Sequence, residues 1–287
     1  MKWRIIIWLL ILPLTPVRAQ QNDIASVEDP INLSVNSLKQ FLSIYSAQNE
    51  DELVQKFSHL VERLEKVEKR RKSDYAFLRS IFYKTHNSLL TEYDRLATMQ
   101  ETLNDGQFGC LTGTAIYAII LQHFGYDYRI IELPNHVFIH LELDNKSYVF
   151  ESTLPFNGFM RTTVEMEQLL KQPWLNHRRI SQLTTVGEWF SDFKTLPNQY
   201  KTIDLKQLAG LQYFNESAKF YLSKDYVNAM EMVMKAYELY PSERNEKLMQ
   251  LIINKILKYD LIKEDLKNRY LEKYITSVRD RKLSQTK

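Results

Sequence analysis

One cysteine, Cys110, occurs in 287 residues, so no intramolecular disulfide is available to the chain. Seven glycines argue against a large all-β fold, and no glycine-rich run of the phosphate-cradling kind is present. Nor is there an excess of charge of one sign. The 38 basic residues against 35 acidic become 35 against 35 once Lys2, Arg4 and Arg18 of the N-terminal segment are set aside. Net charge therefore gives no support to a nucleic-acid partner. The most apolar run, Ile5 to Leu14, is too short to span a bilayer comfortably. Lys2 and Arg4 precede it and Val17-Arg18-Ala19 follows, so residues 1–19 read as a secretory signal peptide cleaved after Ala19. The chain is then expected in the periplasm or outside the cell, with no stable membrane span after cleavage. No cysteine follows the cleavage point, which excludes a lipoprotein anchor. His136 and His140 form H-x3-H, but on a strand pattern that spacing separates the side chains by roughly 13 Å. No metal or other cofactor is expected.

What is there concentrates between Gly106 and Pro155, GQFGCLTGTAIYAIILQHFGYDYRIIELPNHVFIHLELDNKSYVFESTLP. Leu111 to Phe124 repeats apolar residues at helical spacing, and Gly125 is a stop signal. Gly109 and Thr112 flank the helix start, so Cys110 belongs to the first turn, where a dipole and free N–H groups favour a thiolate. Tyr126–Leu133, His136–Leu143 and Lys146–Thr153 read as strands, with Pro134-Asn135 as a turn and Asp144-Asn145 as a hairpin turn. The loop length decides the chemistry. A two-residue turn sets Glu151 opposite Phe138, on the face of His136; a four-residue turn sets it opposite His136 itself. A three-residue loop would put the two on opposite faces.

Cysteine, histidine and acid in this order are the parts of a thiol-nucleophile triad. The thiolate attacks, the imidazole moves the proton, and the acid fixes the tautomer and stabilises the imidazolium. The helix N-terminus offers N–H groups to an oxyanion, and Gln107 is a candidate for a further side-chain donor. A lone thiol by itself reads as a core residue; His136 and Glu151 change that reading.

The segments GQFGCLTGTAIYAIILQHFG, PNHVFIHLEL and YVFESTLP resemble the transglutaminase-like superfamily of papain-like thiol enzymes. The resemblance implies an α+β fold, with the cysteine helix packed on an antiparallel sheet. It implies Cys110 as nucleophile, His136 as base and Glu151 as the residue that orients it. Two features depart from the family: the acid is Glu where Asp is commoner, and the spacing from Cys110 to His136 is short. The superfamily also contains non-enzymes, so substrate does not carry over.

Around this core, residues 20–103 read as helical, with helices over 34–69 and 72–103 and Leu78 to Leu103 leading straight into the cysteine segment. The mixed-charge run Glu65 to Ser73 reads as a solvated helix face, with contact to an acidic partner as the alternative for its basic end, Lys69 to Lys72, and His59, His86, His123, His140 and His177 read as structural. Residues 104–202 form the core and a following linker or lid, rich in Trp174, Trp189, Phe190 and Phe193. Gly210 to Pro241 resembles a tetratricopeptide repeat, with Tyr213, Ser217 and Phe220 in its first helix and Tyr226, Ala229, Ala236 and Pro241 in and after its second. Residues 203–277 are thus a helical repeat-like region, and 278–287 a polar, disordered tail. Two functions fit. One is an exported acyl-transfer enzyme acting on a peptide, protein or other amide substrate, with water or an amine as acceptor. The other is a non-catalytic envelope binding or assembly protein that engages a protein partner through the repeat-like segment.

Overall fold

The computed structural model describes residues 30–42, 50–133, 136–162, 201–259 and 263–285. The chain runs through helix α1 (Pro30–Leu42), α2 (Glu50–Glu68) and α3 (Asp74–Leu89), a two-residue strand β1 (Glu92–Tyr93), α4 (Met99–Asp105), β2 (Gln107–Phe108) and α5 (Cys110–His123). Strands β3 (Tyr128–Leu133), β4 (His136–Leu143), β5 (Lys146–Phe150), β6 (Phe159–Arg161) and β7 (Lys201–Ile203) follow. Helices α6 (Leu205–Leu222), α7 (Tyr226–Leu239), α8 (Glu243–Tyr259) and α9 (Glu264–Gln285) complete it. The fold is mixed helix and sheet, and the five-stranded sheet, ordered β6-β5-β4-β3-β7, is antiparallel throughout.

Helix α5 is the axis of the packing. Its residues from Leu111 to Leu121 are all buried, so it has no solvent face. It lies against β3 and β4 and is wrapped by α1, α3, α4 and α6. Val137, Ile139 and Leu141 of β4 join it in the main core, whereas Phe138 joins Ile131 and Val149 in a small cluster on the opposite face of the sheet. Glycine stops the helix as expected: Gly125 is at φ +71.

The β4–β5 hairpin settles the register. Leu143 pairs with Lys146, and Asp144 and Asn145 both have positive φ, at 51 and 57. This is the two-residue turn, whose twist suits the flanking strands. Glu151 thus extends the line of the face shared by Val149 and Phe138.

Four expectations need correction. The helix expected over 34–69 is α1 and α2, with residues 43–49 between them outside the described residues. The helix expected over 72–103 is two helices. Ser73 caps α3 through Ala76 N–H, and α3 ends at Leu89. The chain then extends through β1 before a capping box of Thr98 and Glu101 starts α4. That Thr-x-x-Glu signal competes with continuing the apolar spacing, and it wins. The strand expected to reach Thr153 stops at Phe150: Glu151 N–H makes one more ladder bond, to Gly158 O at 2.8 Å, and the chain then turns, with Leu154 N–H on Glu151 O and the Glu151 carboxylate capping Thr153 N–H. The polar tail expected from 278 is helical through Gln285; its Arg, Lys, Leu and Gln residues have good helix propensity. The aromatic segment with Trp174, Trp189, Phe190 and Phe193, the Pro134-Asn135 turn and His177 lie outside the described residues.

Helices α6 and α7 form a close pair. Ala229 and Ala236 are buried on α7, and Ser217 Oγ donates to Ala229 O at 2.7 Å. With Met230, Val233, Ile252 and Tyr270 they build a second apolar cluster apart from the α5 core. The two regions are tied by Glu132 of β3. Its buried carboxylate accepts from Tyr240 Oη at 2.5 Å and pairs with Arg244 at 3.1 Å.

Candidate active site

The site begins with how α5 starts. Residue Gly109 is extended and precedes the first helical residue, Cys110. Thr112 Oγ1 accepts from Gly109 N–H at 3.1 Å and from Thr102 Oγ1 at 3.0 Å, fixing the entry to the helix. Cys110 is half-buried and is a free thiol. The N–H groups of a first turn have no partner within their own helix, so they stand beside the sulfur.

His136 opens β4, with a side chain only 10% exposed. Its Nε2 bonds Glu151 Oε2 at 2.5 Å. The second carboxylate oxygen, Oε1, accepts from Thr153 N–H at 2.9 Å and from Thr153 Oγ1 at 2.6 Å. The ring stacks on Phe138 with centroids 6.2 Å apart. On its other side Cys110 lies near enough to raise the pKa of the His136 ring. Since Nε2 is committed to Glu151, Nδ1 is the nitrogen left for the thiol.

By strand alternation His136 belongs with Phe138, on the face turned away from α5. It still meets the α5 N-terminus because it is the first residue of its strand, at the end of the sheet. The hairpin register accounts for the bond to Glu151, and the strand end for the contact with Cys110.

Electrostatics reinforce the geometry. Burial alone opposes a charge on the His136 ring, but hydrogen bonds to Cys110 and Glu151, and the charges of both, outweigh it and push its pKa up to about 10. Burial likewise opposes the Glu151 charge, yet the His136 ring and the two Thr153 donors hold this carboxyl below its ordinary value. The arrangement favours an imidazolium beside the Glu151 carboxylate.

The remaining candidates sort clearly. Gln107 lies half-buried on β2, paired with Glu92, three residues before Cys110. His140 is buried and its Nδ1 takes a bond from Arg129 at 3.2 Å. His123 lies at the far end of α5, between Ser34 and Glu65. Sequence reasoning missed three neighbours of the site. Thr153 holds the acid, and a hydroxyl two residues after a carboxylate is a readable signal for this. Tyr93 is exposed on β1 with its ring 5.9 Å from Phe108, and after burial the charge of Cys110 is the main influence raising its pKa. His86 lies behind the acid. Both lie in the stretch Leu78 to Leu103, which the sequence places against the cysteine helix as a wall of the cleft, but no sequence signal gives either residue a role of its own.

Comparison with known proteins gives no further lead: no protein-family model, curated protein or solved structure matches this chain.

Proposed function

We propose that the chain is an exported thiol-dependent acyl-transfer enzyme, built on a papain-like, transglutaminase-like core, that acts on an amide bond. The observation that carries this reading is one imidazole bonded to a doubly anchored carboxylate and close to a thiol at a helix N-terminus, which acts on the titration of the ring. Buried, charge-coupled groups of this kind are the signature of catalytic sites more than of packing.

The chemistry follows from the groups. His136 Nδ1 takes the Cys110 proton, and the thiolate sulfur attacks the carbonyl carbon, forming a C–S bond. The carbonyl electron pair moves to oxygen, where N–H groups of the α5 first turn and the Gln107 amide are within the same end of the site. His136 then gives its proton to the leaving nitrogen as the C–N bond breaks, and an acyl-thioester remains on Cys110. Water or an amine next gives up a proton to His136, attacks the thioester and releases the thiol. Water makes the protein a peptidase or amidase, and an amine makes it a transglutaminase. Throughout, Glu151 holds the ring in one orientation and stabilises its charge.

The test is covalent labelling of the native protein with an electrophilic thiol probe, followed by mapping of the adduct. Rapid labelling of Cys110 at neutral pH, lost on unfolding, is the expected result. A Cys110 no faster than a free-thiol reference overturns the proposal.

A second reading keeps the core as a scaffold and gives the work to the C-terminal helices, which resemble a tetratricopeptide repeat. What favours it is that Leu251, Leu257 and Tyr259 of α8 and Ile275 of α9 are exposed apolar side chains. The same labelling experiment separates the two, since a scaffold needs no activated thiol.

A further inference from the structure

His86 takes no part in the chemistry above, yet it is buried in the last turn of α3 and touches both halves of the site. Its Nε2 lies 3.2 Å from Ser152 O, the carbonyl of the residue next to Glu151. A carbonyl only accepts, so Nε2 carries the hydrogen and donates. Its ring meets Phe108 edge-on at 5.4 Å, and Phe108 is two residues before Cys110. Phe82 packs beside the same ring at 5.9 Å.

A second observation bears on the same spot. A Cβ added to Gly113 would come within 2.5 Å of Ser152 Cβ and 2.7 Å of Ser152 Oγ. Ser152 therefore sits directly on α5, in the turn that follows Cys110, and only a glycine leaves room for it. Ser152 is thus pinned from both sides, by contact with α5 and by the hydrogen bond from His86.

The backbone around Glu151 has few other restraints. Its N–H goes to Gly158 O, and its carbonyl takes the N–H of Leu154. Neither bond ties the acid to the element that carries the nucleophile. Gly113 does so directly, and His86 does so from α3 by way of Phe108, which leads into α5.

We propose that His86 is a positioning residue, which sets the separation between the Glu151–His136 pair and Cys110 by anchoring the Ser152 carbonyl against the approach to α5. This rests on the thiol–imidazole reading of the site. Burial lowers the pKa of His86 despite its bond to Ser152, which favours the neutral ring. A neutral ring with its hydrogen on Nε2 suits a fixed structural donor.

The experiment measures the rate of Cys110 alkylation by iodoacetamide against pH, in the full chain, with circular dichroism as the check on folding. Wild type should react well on the acid side, near pH 6, because an imidazolium keeps the thiol ionised there. His86→Phe keeps an aromatic ring against Phe108 and removes the donor. It should lose about tenfold or more of the rate near pH 6 and stay within about twofold near pH 9, where any thiol ionises. His86→Gln, whose amide reaches to the same depth, should restore the acid-side rate. Gly113→Ala pushes Ser152 from the other side and should give the same pH-selective loss, which decides the matter if His86→Phe does not fold. A folded His86→Phe with the wild-type profile overturns the proposal. So does a loss by the same factor at every pH, which marks general closing of the site. If wild type itself lacks acid-side reactivity, the thiol–imidazole reading falls, and the proposal with it. That result is read from wild type alone and is distinct from the failure of His86.

Discussion

The two ends of α5 carry the same three kinds of group. At its N-terminus a thiol, an imidazole and a glutamate stand in a row, Cys110, His136 and Glu151. Near its C-terminus a hydroxyl, an imidazole and a glutamate do the same: Ser34 Oγ lies 3.3 Å from His123 Nδ1, and His123 Nε2 lies 3.1 Å from Glu65 Oε1. By residue type, and by the His–Glu distance, the second row resembles a hydrolase triad as much as the first. It differs in three respects. Ser34 is 2% exposed and belongs to α1, so no carbonyl can approach its hydroxyl. It lies at the carbonyl end of α5, where the dipole disfavours an anion, whereas Cys110 lies at the N–H end. Finally, an alcohol is a far weaker acid than a thiol, so a neighbouring imidazole does much less to ionise it. The row at the N-terminus is disposed for chemistry, and the row at the C-terminus ties α1 and α2 to α5. Distances alone do not identify a site; exposure and the helix end do.

Paired substitutions test this contrast. The largest effect is expected at the nucleophile. Cys110→Ala should remove covalent labelling and at least roughly 10³-fold of any acyl transfer, with an unchanged circular dichroism spectrum. Ser34→Ala should leave both intact and cost about 1 kcal/mol in denaturant melts. Loss of activity in Ser34→Ala would make the two ends equivalent and sink the distinction.

The acids come next. Glu151→Gln keeps the shape but not the charge, so Cys110 alkylation near pH 6 should fall on the order of 10²-fold. Glu65→Gln should leave that rate within about twofold, since its carboxylate is partly exposed and remote from the thiol. Equal rates for the two variants at pH 6 would show that charge at Glu151 is irrelevant.

Stability against pH gives a third measurement. The folded pKa of His136 is raised from 6.5 to about 10, so its contribution is full below pH 6.5 and is lost as pH rises through about 10. The folded pKa of Glu151 is lowered from 4.5, so its contribution is present above pH 4.5 and fades as pH falls through the folded value. Urea melts of wild type should weaken between pH 7.5 and 10.5, and His136→Gln should weaken less over the same interval. Parallel curves for the two proteins would exclude the raised value.

The smallest effect is expected away from both ends. Tyr240→Phe removes one donor from the buried Glu132, which keeps Arg244. It should cost about 1–2 kcal/mol and leave Cys110 alkylation unchanged. A changed alkylation profile would mean that the C-terminal helices act on the site through β3.

Several elements were legible before any coordinates. The α5 pattern, its glycine stop, the hairpin over Asp144-Asn145 and the helix pair before Pro241 all rest on local signals that packing did not override. The break between α3 and α4 was legible too, in Thr98 and Glu101, but the apolar spacing across it suggested a continuous helix. The end of β5 was not, because it depends on the turn that Leu154 N–H closes onto Glu151 O.

By itself the sequence determined which groups are present and how they are spaced: one thiol at a helix start, an imidazole at a strand start and a carboxylate one hairpin away. Alternation with period two then allowed His136 and Glu151 to share a face for only some turn lengths. Tertiary structure decided the rest. It selected the two-residue turn, let His136 reach Cys110 round the end of the sheet, and brought His86 and Tyr93 in from elements remote in the chain. It also buried Ser34 while leaving Cys110 half open. Such choices depend on which surfaces close over one another, and no local periodicity carries that information.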